Sequence, residues 1–267
     1  NLHYLDEGEG EVLLFLHGNP TWSFYYRSLI KNFKDRYRCV ALDHIGCGFS
    51  DKPQDYNYTL ATHIDNLEKL VDFLDLKNIS LVVHDWGGSI GMGLAVRKPE
   101  LIKRLVIFNT ASFLSSNIPL RINLCRIPLL GTIAIQNLNL FVRGVLRFGL
   151  MRRKQLTKNI RDGYLAPYDS FENRIANLKF VQDIPMDASV PSYSVVKDIE
   201  NNLKHFQGLP ILILWGIEDF CFNIKFLNKW REIFPLAEVH EILNAGHLVV
   251  EDATDEIIPL MEEFLKK

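Results

Sequence analysis

Three residues of this chain have types and positions that could do covalent chemistry. In LVVHDWGGSIGMGLAV, Leu81 to Val96, a strand pattern runs through a Gly-assisted turn into a helix, with Asp85 at the apex and Trp86 behind it. Downstream, ILILWGIEDF ends a strand pattern at Trp215 and Gly216 and leaves Asp219 in the following loop. EILNAGHLVVED ends another and delivers His247 after Gly246. A carboxylate needs no base before it attacks carbon, so Asp85 could displace a leaving group and form an ester directly. His247 could then activate water against that ester, with Asp219 holding the imidazole in one tautomer. Each residue also has a plainer reading. An Asp before a helix is commonly an N-cap, and a lone loop histidine is usually a surface residue. Three such residues, each following a strand pattern, can converge on one edge of a sheet, and that outweighs the plainer readings.

The elements that must position them alternate along the chain. Strand patterns run over Val12 to His17, Arg38 to Leu42, Ile79 to His84, Arg104 to Phe108, Ile211 to Trp215 and Glu238 to Leu243, and the opening NLHYLDEG also reads as a strand. Helical patterns run over Trp22 to Phe33, Leu60 to Leu74, Trp86 to Arg97 and about Asp255 to Leu265. In the second of these, Leu60, Ile64, Leu67, Leu70, Val71 and Leu74 share one face. This alternation predicts a mostly parallel sheet with helices on both faces. The glycines after Asp85 are costly in a helix, about 1 kcal/mol each, which predicts a close approach of that helix to the sheet. The rhythm fails between about Phe113 and His205, where helices and loops are expected and no buried strand is clear. That block carries 13 Lys and Arg against seven Asp and Glu, a net of +6, which leaves −8 for the rest. Taken by charge alone, it reads as a solvated helical insertion, placed where a lid would stand over the carboxyl ends of the strands.

Composition narrows the class. With 48% apolar and 23% charged residues, 267 residues can bury a large core, and a net charge of −2 gives no reason to expect a nucleic-acid partner. Cys39, Cys47, Cys125 and Cys221 form no CxxC pair, which predicts free thiols in a reducing compartment and a cytoplasmic location. No transmembrane segment is read; the uncharged run Ile127 to Val142 is broken by Pro128, Gly131, Gln136, Asn137 and Asn139. What precedes Asn1 is left open.

The order nucleophile, acid, histidine is that of the α/β-hydrolase triad, and HDWGG resembles its strand-to-helix elbow with Asp85 in place of serine and Val83 in place of the first glycine. In that fold the HGNP loop supplies an oxyanion-hole N–H, here that of Asn19, beside the N–H of Trp86. HGNPTWS, DHIGCGFSDKP, VVHDWGG and NAGHLVVED together resemble the haloalkane dehalogenase branch. The resemblance implies an eight-stranded α/β-hydrolase core over residues 1–112 and 206–267, with a helical cap, 113–205, inserted after the sixth strand. It also implies that Asp85 is the nucleophile, His247 the base and Asp219 the acid, and that the Trp86 indole and Asn19 amide grip a departing halide. Asn109 stands where some subfamilies carry a Glu, which points to Asp219 as the acid. His17 and His84 are read as structural, and His44 is given no chemical role. No metal or organic cofactor is implied.

The leading functional reading is therefore a haloalkane dehalogenase-type hydrolase acting on a small apolar substrate. The cap segment Gly163 to Tyr193 looks most like the third subfamily, which includes the β-lactone decarboxylases of bacterial olefin biosynthesis. Decarboxylation of a cis-β-lactone by the same residues is the alternative, and it leaves room for partner enzymes of a lipid or olefin pathway. The apolar runs IPLLGTIAIQNLNLF and VLRFGLM suit a greasy substrate, or simply pack the cap against the core. An epoxide hydrolase would need cap tyrosines, for which Tyr164, Tyr168 and Tyr193 are candidates, although Asn19 departs from that pattern. Trp86 argues against fluoroacetate as substrate, and the intact set Asp85, Asp219 and His247 argues against an inactive binding scaffold.

Overall fold

The computed structural model describes residues 1–267. Seven strands form one sheet: β1 (Tyr4–Glu7), β2 (Val12–Leu16), β3 (Arg38–Leu42), β4 (Ile79–Asp85), β5 (Ile102–Thr110), β6 (Ile211–Gly216) and β7 (Glu238–Ile242). Their spatial order is β1-β3-β2-β4-β5-β6-β7. Only β1 runs antiparallel to its neighbour. The sheet has seven strands where eight were expected, and the long helical stretch follows the fifth of them rather than a sixth.

The central strands are apolar on both faces because helices cover both. β4 and β2 are buried along their whole length, as expected of parallel strands with two covered faces. One face packs against α1 (Arg27–Phe33) and α11 (Val249–Phe264), the other against α2 (Leu60–Phe73), α3 (Trp86–Arg97) and α10 (Ile224–Ile233). Five of the six residues expected on the core stripe of α2 are buried, Leu74 is packed at its edge, and Thr59 caps the helix through the N–H of Thr62. The expected Trp22 to Phe33 helix begins instead as a 3-10 turn, Ser23–Tyr26. The last helix starts at Val249, earlier than the pattern predicts, and breaks at Ala253. Just before the break, Asp252 accepts the N–H groups of Gly246, Met151 and Arg152, which ties the His247 loop to the helix start.

Between β5 and β6 the chain makes only helices: α4 (Leu120–Cys125), α5 (Pro128–Gly131) continuing as a π-turn over Thr132–Asn137, α6 (Leu140–Phe148), α7 (Lys158–Leu165), α8 (Ile175–Gln182) and α9 (Ser192–Asn202). The helices α8 and α9 reach the core. Asp183, after α8, accepts the first N–H of α2, that of Leu60, at 2.8 Å and the hydroxyl of Ser192. No single helix is long and apolar enough to cross a membrane.

Candidate active site

The residues singled out in the sequence come together at the carboxyl ends of the parallel strands. Asp85 closes β4, Asn19 follows β2, Asp219 follows β6 and His247 follows β7. Such strand ends are where open α/β sheets bind ligands.

Asp85 sits in a backbone conformation that few residues adopt, φ +50° and ψ −126°. Strain of this kind persists only where the surroundings over-determine it. Here the Thr110 hydroxyl donates to the Asp85 carbonyl, and the register of β4 on β5 shifts between Val83 and Asp85. The helix behind it approaches β2 so closely that a Cβ on Gly87 would lie 2.0 Å from the Leu16 carbonyl oxygen. That contact is the reason for glycine there. The Asp85 side chain does not cap its own helix. Its Oδ1 accepts the backbone N–H of Asn19 at 2.6 Å, so it is aimed out of the turn and Oδ2 is the less encumbered oxygen.

His247 lies between the two carboxylates. Its Nδ1 is 3.0 Å from Asp219 Oδ2, and its Nε2 is 3.9 Å from Asp85 Oδ2. The first is a hydrogen bond; the second is too long for one. Asp219 is held by the Cys221 N–H at 2.6 Å, and the His247 carbonyl pairs with His84 Nε2 at 2.8 Å. His84, expected to be structural, therefore anchors the backbone of His247. All three site residues are buried. Burial raises the Asp85 pKa despite the opposing His247 charge and the N–H groups of Asn19 and Trp86. Burial lowers the imidazolium pKa of His247, but the charge and hydrogen bond of Asp219, with the Asp85 charge, outweigh it, and the net shift is upward.

Asn109 clamps β6, donating to the Gly216 carbonyl at 2.9 Å and accepting its N–H at 2.8 Å. It takes no place beside His247. The histidine pair behind the HGNP loop is likewise structural: His44 N–H donates to His17 Nε2 at 3.0 Å. The Asn19 side chain donates to the Asn177 carbonyl on α8 at 3.0 Å, so one of its amide hydrogens is already engaged. The Trp86 ring lines the pocket and tilts against Phe180 at 5.2 Å.

Above these residues lies a cavity of about 130 Å³, lined by 22 residues of which 14 are hydrophobic. Asn19, Asp85, Trp86 and His247 form its floor, while Ile122, Phe141, Val145, Val181 and Val196 come from the helices between β5 and β6 and Ile184 from the loop after α8. The sequence pattern does not single out Val181 and Val196, because an apolar helix position looks the same whether it faces a core or a cavity. The three tyrosines considered for epoxide opening do not line this pocket. Tyr164 donates to Glu251 at 2.8 Å and Tyr168 is buried with its hydroxyl near the Thr21 carbonyl.

A strained acidic elbow, an oriented histidine and an inserted helical layer define the α/β-hydrolase class. The chain belongs to the alpha/beta hydrolase fold family, whose model matches residues 11–254. It is 49% identical, over 99% of its length and 85% of the relative's, to a cis-3-alkyl-4-alkyloxetan-2-one decarboxylase of Shewanella oneidensis. It is 30% identical, over 96% of its length and 88% of the relative's, to haloalkane dehalogenase 2 of Mycobacterium tuberculosis. Among solved structures, the haloalkane dehalogenase DatA of Agrobacterium tumefaciens C58 is similar with a TM-score of 0.86 and 26% identity, covering 99% of this chain and 92% of that one. Both the dehalogenases and the β-lactone decarboxylases are thus relatives, as the sequence motifs predict.

Proposed function

We propose that the protein opens and decarboxylates a cis-β-lactone carrying two alkyl chains, with Asp85 as nucleophile. The observation that carries the choice of substrate is the 49% identity to an oxetanone decarboxylase over 99% of the chain, against 30% to a haloalkane dehalogenase. The apolar lining of the pocket suits alkyl chains.

Asp85 Oδ2 attacks the ring carbon that bears the lactone oxygen. The carbon–oxygen ring bond breaks as the ester bond to Asp85 forms, and the ring oxygen leaves as part of a carboxylate. Trp86 and the remaining amide hydrogen of Asn19 offer neutral donors to that charge, as an oxyanion hole does. The carboxylate then departs as carbon dioxide. Its bonding electrons become the alkene π-bond, and the ester bond breaks to return Asp85 as the free anion. No water enters this cycle. His247 and Asp219 carry no proton transfer in this cycle and serve as base and orienter when the ester must be hydrolysed instead.

Hydrolytic dehalogenation is the second reading, supported by His247 Nε2 standing 3.9 Å from Asp85 Oδ2, a distance that suits action on a water attacking an Asp85 ester. In both readings residues 113–205 act as a cap over a core of 1–112 and 206–267, supported by the mixed origin of the pocket lining. The cysteine pattern supports a cytoplasmic location. The test offers the purified enzyme a long-chain cis-3,4-dialkyl β-lactone and a 1-bromoalkane. Alkene and carbon dioxide should form from the first, with bromide release slower by about 100-fold or more, and Asp85→Ala should abolish both. Rapid bromide release with an untouched lactone would overturn the proposal in favour of the second reading.

A further inference from the structure

Seventeen large hydrophobic side chains are left exposed over the whole chain, and ten of them lie between Leu120 and Met151. Leu120 and Leu129 are 72% and 70% exposed. The surrounding residues, 113–161, hold nine Lys and Arg and no Asp or Glu. Apolar and basic side chains share one face. On α6, Leu140, Arg143, Arg147 and Phe148 are exposed, while Val142, Val145 and Leu146 are buried. The Arg121 guanidinium, from α4, lies 4.7 Å from the centre of the Phe148 ring, which joins the two helices into one surface. Beside it, Arg143, Arg147, Arg153 and Arg161 line a hollow of about 320 Å³ whose other lining residues are leucines. Of these four, only Arg161 reaches a carboxylate, that of Asp162 at 3.4 Å.

We infer that this face docks the protein on an anionic lipid bilayer, with the exposed leucines entering the interface and the arginine-lined hollow receiving lipid phosphate. A basic face interleaved with exposed leucines is the composition of an interfacial helix layer, and arginine matches phosphate geometry. The shape of these helices suits lying on a bilayer better than crossing it as one straight helix. Pro128–Asn137 and Leu140–Phe148 are bent by 76° at their junction, and each is only about 15 Å long against a hydrocarbon core of about 30 Å. A symmetric contact with a second copy would set this basic face against itself, with no carboxylate to relieve it. The inner side of the same helical layer, through Ile122, Phe141 and Val145, lines the catalytic pocket. A dialkyl substrate could then pass from lipid to Asp85 across a single layer of helices.

The experiment uses the full chain in vesicle flotation, with phosphatidylcholine alone or mixed with phosphatidylglycerol. Binding should be strong to the mixed vesicles and about 100-fold weaker to the neutral ones or in high salt. Arg143→Gln, Arg147→Gln and Arg153→Gln together should weaken it by about 100-fold, taking roughly fivefold per arginine. Leu120→Ser with Leu129→Ser should weaken it without changing its salt dependence. None of these residues lines the catalytic pocket, so turnover of a dispersed short-chain substrate and the melting temperature should stay as in the parent. Equal binding to neutral and anionic vesicles, or none to either, would overturn the inference. So would saturable binding of inorganic phosphate without vesicle binding, or a dimer lost in the leucine variant without vesicle binding. Loss of flotation with lactone turnover intact would reject docking and leave the proposed reaction standing.

Discussion

Replacing Asp219 with Asn separates the two chemistries that Asp85 could serve. The carboxylate lies 3.0 Å from His247 Nδ1, with charge centres about 4 Å apart. At an effective dielectric of about 20, a charge pair at that separation is worth about 4 kcal/mol, which favours the imidazolium. An Asn at this position can keep the contact to the Cys221 N–H but not the charge. Hydrolysis of an Asp85 ester forms the imidazolium as water is deprotonated, so that step should slow by about 10³-fold. With a 1-bromoalkane, the variant should stall as an alkyl ester on Asp85, visible by intact mass and absent from Asp85→Ala. With the β-lactone, the water-free cycle never requires imidazolium to form. Alkene production should fall by less than about tenfold, and no adduct should accumulate. Measured side by side by gas chromatography and mass spectrometry, an alkene rate that also drops by about 10³-fold would refute the water-free scheme.

Two further perturbations test the frame around the site. Gly87→Ala sets a Cβ 2.0 Å from the Leu16 carbonyl oxygen and should cost about 3 kcal/mol or more. Gly144→Ala, with nothing within 4 Å of the new atom, should instead gain about 0.5–1 kcal/mol. Urea denaturation showing the same sign for both would contradict the close helix–sheet approach. Burial pushes the Asp183 pKa up to about 6 from 3.8, against its bonds from Ser192 and Leu60. The folded state therefore binds this proton more tightly than the unfolded state, and stability falls as pH rises through that window. That difference is worth about 3 kcal/mol, so Asp183→Asn should gain on the parent by up to that amount as pH rises from 4 to 7. Parallel stability–pH curves for the two proteins would remove Asp183 from the account.

The site was more legible in the sequence than its surroundings were. HDWGG, GIEDF and NAGH each join a strand pattern to a loop within a few residues, so Asp85, Asp219 and His247 could be placed at strand ends from local pattern alone. The plainer reading of Asp85 as an N-cap fell only when its side chain was seen to accept the Asn19 N–H rather than one of its own helix. The cap tyrosines went the other way: Tyr164 turns to Glu251, 87 residues away, and leaves the pocket. By hydropathy the greasy runs around α5 and α6 suit either lining a pocket or packing against the core. Phe141 and Val145 do line the pocket and Val142 is buried, but Leu129, Leu138 and Leu140 face outward. Hydropathy counts apolar residues without saying which of two faces they occupy.

By itself the sequence determined the strand–helix alternation, the chain order of Asp85, Asp219 and His247 at strand ends, and the glycines that a sharp elbow needs. These depend on neighbours along the chain. Only the tertiary structure decided that Asn19 gives an amide hydrogen to Asn177, 158 residues away, and that His84 supports His247, 163 residues away. It also decided that the helices between β5 and β6 turn leucines and unpaired arginines toward the outside. Those relations arise when separate helices pack over a twisted sheet, and no local pattern encodes the distances that packing sets.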